Sequence, residues 1–311
     1  MLRHSAGQVV HGISRYLLIA FLGLAGVFVA WPVAADIVLP QADGTRLVLK
    51  HPAERIVTLA PNLAELVFAA GAGSKLIGAV EYSNYPPPVT RVPRIGDAFR
   101  IDLEHIVQLE PDLVIAWQSG NPPTALQKLE QLGLVVWRIE ITHPRQIADS
   151  VQHIAMAAGT ENHGLAAAAQ LRERLESLRR ANTGKLPVSY FYQVSQRPLY
   201  TVNGSHIISR GLEMCAAHNV FSDLAALAPQ ISREALIAAD PQVMVAPQVE
   251  GEPPALENWL DWPNLRAVKN GALVYLPADE ISQATPRLLD GLELACKLLD
   301  PLRKPVQQME H

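Results

Sequence analysis

The sequence predicts an α/β protein of two Rossmann-like lobes with parallel-rich sheets, joined by a single long backbone helix. Three observations indicate this fold class. Apolar, β-rich runs alternate with helix-like segments, a 16-residue pattern occurs once in each half, and a strongly helical stretch lies between the halves. With 311 residues, of which 49% are hydrophobic and 18% charged, the chain has enough apolar material for two cores and is not disordered.

Residues 1–35 have the features of a signal peptide. Two arginines precede an unbroken apolar run over residues 16–31, and small side chains at Val33 and Ala35 fit cleavage after Ala35. The run is shorter than the roughly 20 residues that a membrane span needs. We therefore expect an exported protein that is soluble after cleavage near Ala35, with an uncleaved membrane anchor as the alternative.

Residues 36–158 are predicted to form the N-terminal α/β lobe. The lobe opens with a β-hairpin over residues 37–49, which turns through an Asp-Gly pair. Helix-like segments, such as 63–70 and 102–109, separate the apolar runs that we assign as strands. These strands are 55–60, 75–80, 112–117 and 134–139.

A stiff helix is predicted between the two halves. Residues 161–181 are dominated by Ala, Leu, Arg and Glu, which are strong helix formers, and would span roughly 30 Å at 1.5 Å per residue. We assign 159–184 to this linking backbone helix and 185–311 to the C-terminal α/β lobe, with strands at 188–194, 242–246 and 272–276. A rigid link between two lobes leaves a cleft, and ligands commonly bind in such clefts.

An internal repeat supports two lobes of the same topology. Residues 101–116 (IDLEHIVQLEPDLVIA) align with residues 231–246 (ISREALIAADPQVMVA) without a gap, and Glu104 coincides with Glu234. Each unit is typical of a capped helix, a turn marked by proline and a buried strand. The alternative is a chance similarity between two strand–helix patterns.

The sequence contains none of the common catalytic motifs GxSxG, GxxxxGK[ST], HExxH or CxxC. Because these motifs are missing, we expect no catalytic residue. His143, His153 and His163 fall on different helix faces, so we also expect no metal site. The net charge of −4 leaves no basic surplus for nucleic acid. These observations favour binding over catalysis, while an exported enzyme and a histidine-based metal binder remain alternatives.

Several short motifs occur in a specific order along nearly the whole chain after residue 35. They are 55–80 (RIVTLAPNLAELVFAAGAGSKLIGAV), 81–87 (EYSNYPP), 103–120 (LEHIVQLEPDLVIAWQSG), 211–221 (GLEMCAAHNVF), 231–234 (ISRE) and 284–287 (ATPR). In these motifs the chain resembles the periplasmic receptors of iron-siderophore and vitamin B12 importers, which have a helical backbone between two lobes.

This resemblance implies a periplasmic substrate-binding protein that captures cobalamin, or a related corrinoid, in the cleft. It would deliver the ligand to the permease subunits of an ABC importer in the inner membrane. Cobalamin would be the transported ligand, so we expect no cofactor, no nucleic-acid partner and a monomer. The alternative ligands are haem or an iron siderophore, and an anionic siderophore would need cleft arginines such as Arg100, Arg197 or Arg287.

The resemblance also implies ligand contacts from both lobes. Tyr82 falls where the family uses a tyrosine against the corrin, and 279–283 falls on a second ligand-contacting segment. A large apolar macrocycle needs aromatic platforms, which Phe99 and Tyr200 could add, although each tyrosine could instead anchor its own loop. The full set of candidate contacts is Tyr82, Phe99, Tyr200, Asp279, Glu280, Ile281, Ser282 and Gln283.

The chain departs from the family at several aromatic positions. Ala98 and Ala228 stand where relatives carry tryptophan, and the segment 279–283 lacks the family's aromatic side chain. The aromatic lining is therefore thinner than in the family, which leaves open a changed ligand or a looser cobalamin site.

Glu104 and Glu234 fall on the two glutamates that dock onto permease arginines in the family. One glutamate at the same place on each lobe can meet a two-fold permease. The alternative role for each is to complement the dipole of the helix that it begins, an effect of about 0.3–1 kcal/mol.

Cys215 and Cys296 fall on the family's two disulfide-forming cysteines. Export to an oxidising compartment favours the disulfide over the alternative of two buried thiols.

Overall fold

A computed structural model describes residues 36–303 of the chain. The predicted signal peptide, residues 1–35, lies outside the described residues, as do residues 304–311. Within 36–303, no helix combines the length and the apolar character that crossing a membrane requires.

The N-terminal lobe is built on a parallel sheet preceded by a hairpin. Its helices and strands are β1 (Ile37–Pro40), β2 (Arg46–Leu49), β3 (Ile56–Thr58), α1 (Pro61–Ala69), β4 (Leu76–Ala79), α2 (Leu103–Gln108), β5 (Leu113–Trp117), α3 (Pro123–Gln131), β6 (Val136–Ile139) and α4 (Arg145–Ala158), with 3₁₀ turns at Gly73–Lys75 and Pro87–Arg91. Strands β1 and β2 pair antiparallel, and the sheet order is β4-β3-β5-β6. Every predicted strand of this lobe is confirmed.

The C-terminal lobe follows α5 (Glu161–Asn182) and is built on a second parallel sheet. Its elements are β7 (Val188–Tyr192), β8 (Ser195–Gln196), β9 (Leu199–Tyr200), α6 (Ile207–Glu213), β10 (Ala217–Asn219), α7 (Arg233–Ala239), β11 (Val243–Gln248), α8 (Arg266–Lys269), β12 (Leu273–Pro277), α9 (Ala278–Ile281) and α10 (Leu288–Leu299), with 3₁₀ turns at Glu257–Asp261 and Asp300–Leu302. The sheet order is β10-β7-β11-β12. The predicted strands are confirmed, whereas β10 and the β8–β9 hairpin were not predicted because they are only two or three residues long.

The two sheets have the same topology, so the internal repeat reflects a repeated structural unit. Strands β5 and β11 occupy the same position in their sheets, and each follows a short capped helix. Just after these helices, Glu110 and Asp240 both adopt left-handed backbone conformations (φ of 44° and 39°). Each of these residues precedes a proline, where a helix cannot continue. The predicted fold class is confirmed.

Helix α5 packs against both lobes rather than bridging them through solvent. At Gly164 it approaches α4 so closely that an added Cβ would overlap the methyl group of Ala155. On the other side, Arg174 donates to Asp290 (2.6 Å) and forms an ion pair with Glu293 of α10 (3.0 Å).

The largest buried apolar cluster of the described residues is continuous through α5. It contains strand residues of both sheets, and Ala168, Leu171 and Leu175 of α5 belong to it. A smaller buried apolar cluster lies within each lobe. The lobes are therefore joined by packed side chains over the length of the helix, which agrees with the stiff link expected from the sequence.

Cys215 and Cys296 form a disulfide, as the resemblance implied. The bond joins the end of α6 to α10, with a Cα–Cα distance of 5.0 Å, and both residues are buried. It closes a loop between positions that are 81 residues apart.

Replacing both cysteines with alanine should lower the free energy of unfolding by about 4–5 kcal/mol, because the disulfide no longer restricts the unfolded chain over this long loop. Urea denaturation of the wild type and the Cys215→Ala/Cys296→Ala variant measures the difference. Thiol titration under denaturing conditions is the control: the wild type should show no free sulfhydryl, and two free thiols would contradict the bond.

Candidate ligand-binding cleft

A cavity of about 330 Å³ lies between the two lobes, beyond the carboxyl ends of the parallel strands. Open α/β sheets commonly bind ligands at this edge, because the loops that follow the strands converge there. The N-terminal lobe contributes residues after β3, β5 and β6, and the C-terminal lobe contributes the start of α6 and the segment after α9. The lining residues are Pro61, Asn62, Leu63, Trp117, Ser119, Ile139, Glu140, Ile141, Thr142, Ser205, His206, Ile207, Leu227, Ser282, Gln283 and Ala284.

Trp117, at the carboxyl end of β5, is the aromatic side chain of this cavity. Its indole Nε1 donates to Glu140 Oε1 (3.3 Å), and its backbone N–H donates to Asn121 Oδ1 (2.7 Å). An added Cβ at Gly120 would overlap the ring, so the absence of a side chain there lets the backbone pack directly against the indole. Trp117 is therefore held in place as a flat apolar surface facing the cleft.

Sequence reasoning missed Trp117 as a binding residue, because its apolar run was interpreted only as a strand. Its position at the carboxyl end of an inner strand was the signal that could have identified it. Glu140 was missed as well. Its carboxylate accepts from the Ser119 N–H (2.9 Å) in addition to the indole, so its hydrogen-bonding capacity is partly used within its own lobe.

His206 contributes a polar group with a fixed direction from the C-terminal lobe. It caps α6, since its Nδ1 accepts the backbone N–H of Ile208 (3.2 Å). Burial lowers the pKa of the imidazole, so the ring is neutral near pH 7. Because Nδ1 accepts, the proton of the neutral ring is on Nε2, and His206 presents a hydrogen-bond donor at the cavity wall. This histidine was also missed by sequence reasoning.

A second cavity, of about 130 Å³, shares Pro61 and Gln283 with the first and therefore adjoins it. Three of the predicted ligand contacts, Tyr82, Asp279 and Gln283, line this cavity and come from opposite lobes. Tyr82 is exposed and adopts a left-handed backbone conformation (φ 65°). The structure thus places the tyrosine loop and the segment after β12 on facing walls of the cleft, and Ser282 lines the larger cavity.

The remaining predicted contacts lie elsewhere. Ile281 is completely buried in the core and lines neither cavity. The Cβ of Glu280 lies near Gly291 of α10. Burial is the main cause that raises the pKa of the Glu280 carboxyl, and the charge of Asp290 raises it further. Phe99 and Tyr200 line neither cavity, because Phe99 is in a turn capped by the Asp97 carboxylate and Tyr200 is in β9. Contact between these two aromatic residues and a ligand stays a prediction.

The three arginines considered for an anionic ligand do not converge. Arg100 and Arg197 are exposed and line neither cavity. Arg287 lines the smaller cavity, but its guanidinium is already paired with the Glu65 carboxylate at 2.8–3.2 Å. Within residues 36–303, moreover, no group of three or more potential metal-ligating side chains converges.

Glu104 and Glu234 are exposed in the first turns of α2 and α7. Helix α2 is capped by the Asp102 carboxylate (3.0 Å) and α7 by the Ser232 hydroxyl (3.1 Å). Hydrogen bonds from its own backbone N–H and from Ser232 lower the pKa of Glu234. The two glutamates therefore occupy equivalent positions on the two lobes.

One helical turn after each glutamate lies an exposed aliphatic residue. Val107 is 41% exposed and Ile237 is 39% exposed, and the two positions correspond in the repeat. Each lobe thus presents a carboxylate beside an apolar side chain on one helix face, because residues three apart are neighbours on a helix.

The lowered pKa of His206 predicts a pH dependence of stability. The stabilising contribution of the neutral, capping imidazole should be complete above about pH 6.5 and should decline as the pH falls, since the unfolded chain then binds a proton that the folded ring resists. His206→Asn keeps a good capping residue and removes the titration.

Urea denaturation between about pH 5 and 8 tests this expectation. The His206→Asn variant should lose less stability on acidification than the wild type. In both proteins His143 and His153 still contribute to the pH dependence of stability, because burial lowers their pKa values as well. Parallel stability profiles for the two proteins would contradict the assigned role of His206.

The chain is similar to known proteins both in sequence and in fold. The sequence profile described as "Periplasmic binding protein" matches residues 56–280. A curated vitamin B12-binding protein of Vibrio cholerae serotype O1 is 37% identical over 257 residues, covering 81% of this chain and 91% of that relative. A curated protein of the same description from Yersinia pestis is 32% identical over 279 residues, covering 87% and 96% of the two chains.

Solved structures with the same fold include a crystal structure of the periplasmic vitamin B12 binding protein BtuF of Vibrio cholerae. It superimposes with a TM-score of 0.76 at 36% identity, covering 82% of this chain and 99% of that one. The periplasmic haem-binding protein HutB of Vibrio cholerae superimposes with a TM-score of 0.69 at 22% identity, covering 79% and 98%, and shares the fold. On its profile match, its sequence identity and its two-lobed architecture, the chain belongs to the periplasmic binding protein family.

Proposed function

We propose that this protein captures cobalamin, or a related corrinoid, in the cleft between its lobes and delivers it to the permease of an ABC importer. The observation that carries the proposal is an inter-lobe cavity with an aromatic wall and a few directed polar groups, in a chain whose curated relatives are named vitamin B12-binding proteins.

The chemistry of the cleft suits a corrinoid. A corrin has broad apolar faces and amide-bearing edges, so its site needs flat apolar surfaces and hydrogen-bonding groups rather than nucleophiles. Trp117, Ile207 and Leu227 supply apolar surface from both lobes, and His206 and Gln283 supply polar groups. A macrocycle of this size is larger than the main cavity, so we expect it to extend into the adjoining one, where Tyr82 lies.

Two features support a corrinoid over the alternative ligands. Arg287 is already paired with Glu65, which leaves little free positive charge in the cleft for an anionic siderophore. The Nε2 atom of His206 carries the ring proton, so this imidazole serves as a hydrogen-bond donor and not as an axial ligand for haem iron.

The proposal includes export by a signal peptide cleaved after Ala35, and action as a monomer in the periplasm. The apolar run and the small residues before Asp36 support cleavage there. Cobalamin is in this view the cargo and not a cofactor of the protein.

We also propose that Glu104 and Glu234 dock onto the permease. Their equivalent, exposed positions on two lobes of the same topology support this role, because a two-fold permease presents the same surface twice. The neighbouring Val107 and Ile237 add apolar area to each contact. Exposed charges of this kind mainly set register and association rate.

Isothermal titration calorimetry with cyanocobalamin tests ligand binding. We expect sub-micromolar affinity for the wild type and a loss of about tenfold or more for Trp117→Ala, because the variant removes the aromatic surface. Leu132→Ala, at an exposed site away from the cleft, is the control and should bind like the wild type. Absence of heat with the wild type at micromolar concentrations would overturn the cobalamin assignment.

The docking proposal is tested with Glu104→Ala/Glu234→Ala. This variant should keep the ligand affinity of the wild type but associate more weakly with permease reconstituted in liposomes, as measured by co-sedimentation. Glu173→Ala, which removes an exposed carboxylate from α5, is the matched control. If the double variant lost ligand affinity instead, the two glutamates would belong to the cleft or to the fold.

A further inference from the structure

Glu65 and Arg287 form an ion pair that crosses from one lobe to the other. Glu65 is in α1 of the N-terminal lobe, and Arg287 immediately precedes α10 of the C-terminal lobe. Arg287 Nε lies 3.0 and 3.2 Å from the two carboxylate oxygens, and Nη2 lies 2.8 Å from Oε2. The two side chains are only 5% and 18% exposed.

Two further groups surround the guanidinium. The ring of Tyr85 stacks on it, with Arg287 Cζ 4.1 Å from the ring centroid. Asp279 Oδ2 lies 4.0 Å from Nη1. Glu65, Tyr85 and Arg287 all line the smaller cavity, so this cluster is part of the cleft wall that the proposed ligand would touch.

The geometry of the pair restricts the spacing of the lobes. Planar, two-pronged contacts between guanidinium and carboxylate need donor–acceptor distances near 3 Å, and opening the cleft by a few ångströms would break all of them at once. Separation would also remove Tyr85 from the guanidinium, because Tyr85 belongs to the N-terminal lobe. A buried charge that loses its partner is strongly disfavoured until water reaches it.

We propose that Glu65, Arg287 and Tyr85 form an inter-lobe clasp that sets the width of the cleft and slows ligand departure. Glu65 and Arg287 act as positioning residues, since they hold the walls on which Trp117 and Gln283 lie. The effect on ligand departure rests on the proposed corrinoid binding, whereas the effect on lobe spacing does not.

Lobe spacing is measured without ligand by pulsed electron paramagnetic resonance. Nitroxide labels are placed at Leu132→Cys in the N-terminal lobe and Leu260→Cys in the C-terminal lobe, both exposed positions. The neutral double variant Glu65→Gln/Arg287→Met should give a longer and broader distance distribution than the wild type. Arg179→Gln breaks an exposed ion pair with Glu176 that lies within α5 and joins no two elements, so it should leave the distribution unchanged.

Ligand departure is measured by displacing bound cyanocobalamin in a stopped-flow experiment. The dissociation rate should rise about tenfold in the double variant and stay unchanged in Arg179→Gln. Wild-type distances in the double variant would overturn the clasp, as would a wild-type dissociation rate. If the wild-type protein binds no corrinoid, the proposed function fails, and the distance measurement still tests the clasp.

A second variant covers the case in which the double variant does not fold. Tyr85→Leu keeps the ion pair and removes the stacked ring at an exposed site, so folding should survive. Longer distances in this variant would support the clasp, and unchanged distances would then overturn it.

Discussion

The structure depends on a single buried apolar cluster that runs from one sheet to the other through α5. Protein interiors are packed like organic crystals, so a helix embedded in such a cluster transmits the position of one lobe to the other. The disulfide between Cys215 and Cys296 ties α10 to the end of α6, and the ion pairs of Arg174 tie α10 to α5. The walls of the cleft are therefore placed by the fold before any ligand arrives, and binding requires little further ordering.

The cleft is assembled from the ends of strands rather than from their middles. Parallel strands are buried on both faces and are filled by aliphatic side chains, so polar and aromatic groups become available only where a strand leaves the sheet. Trp117 and Glu140 are at such places in the N-terminal lobe, and Asp279 and Gln283 follow β12 in the other. This arrangement gives a surface that can grip a large molecule by contact from two sides.

Much of the fold could be predicted from the sequence. Buried parallel strands appear as continuous apolar runs, and the repeat between 101–116 and 231–246 records the shared topology directly. The site was less predictable, because its lining depends on how two lobes face each other. Trp117 and His206 look like ordinary strand and helix-cap residues when only local patterns are considered.

The segment after β12 illustrates the same limit. The resemblance assigned 279–283 as one contacting block, but Ala278–Ile281 form a helical turn, in which successive side chains point about 100° apart. Ile281 therefore enters the core while Ser282 and Gln283 reach the cleft. A contact set carried over from relatives has to be filtered by the direction of each side chain.

The matching placement of Glu104 and Val107 on one lobe and of Glu234 and Ile237 on the other has a consequence for the proposed docking onto a permease. A receptor with two equal contact patches fits a two-fold partner in two orientations related by a half-turn about the partner's axis. The two proteins would then need to sample about half as many relative orientations before the patches meet. This orientational requirement limits the association rate of most protein pairs. In the proposed docking, duplication of one structural unit would thus speed association at the membrane without any stronger contact.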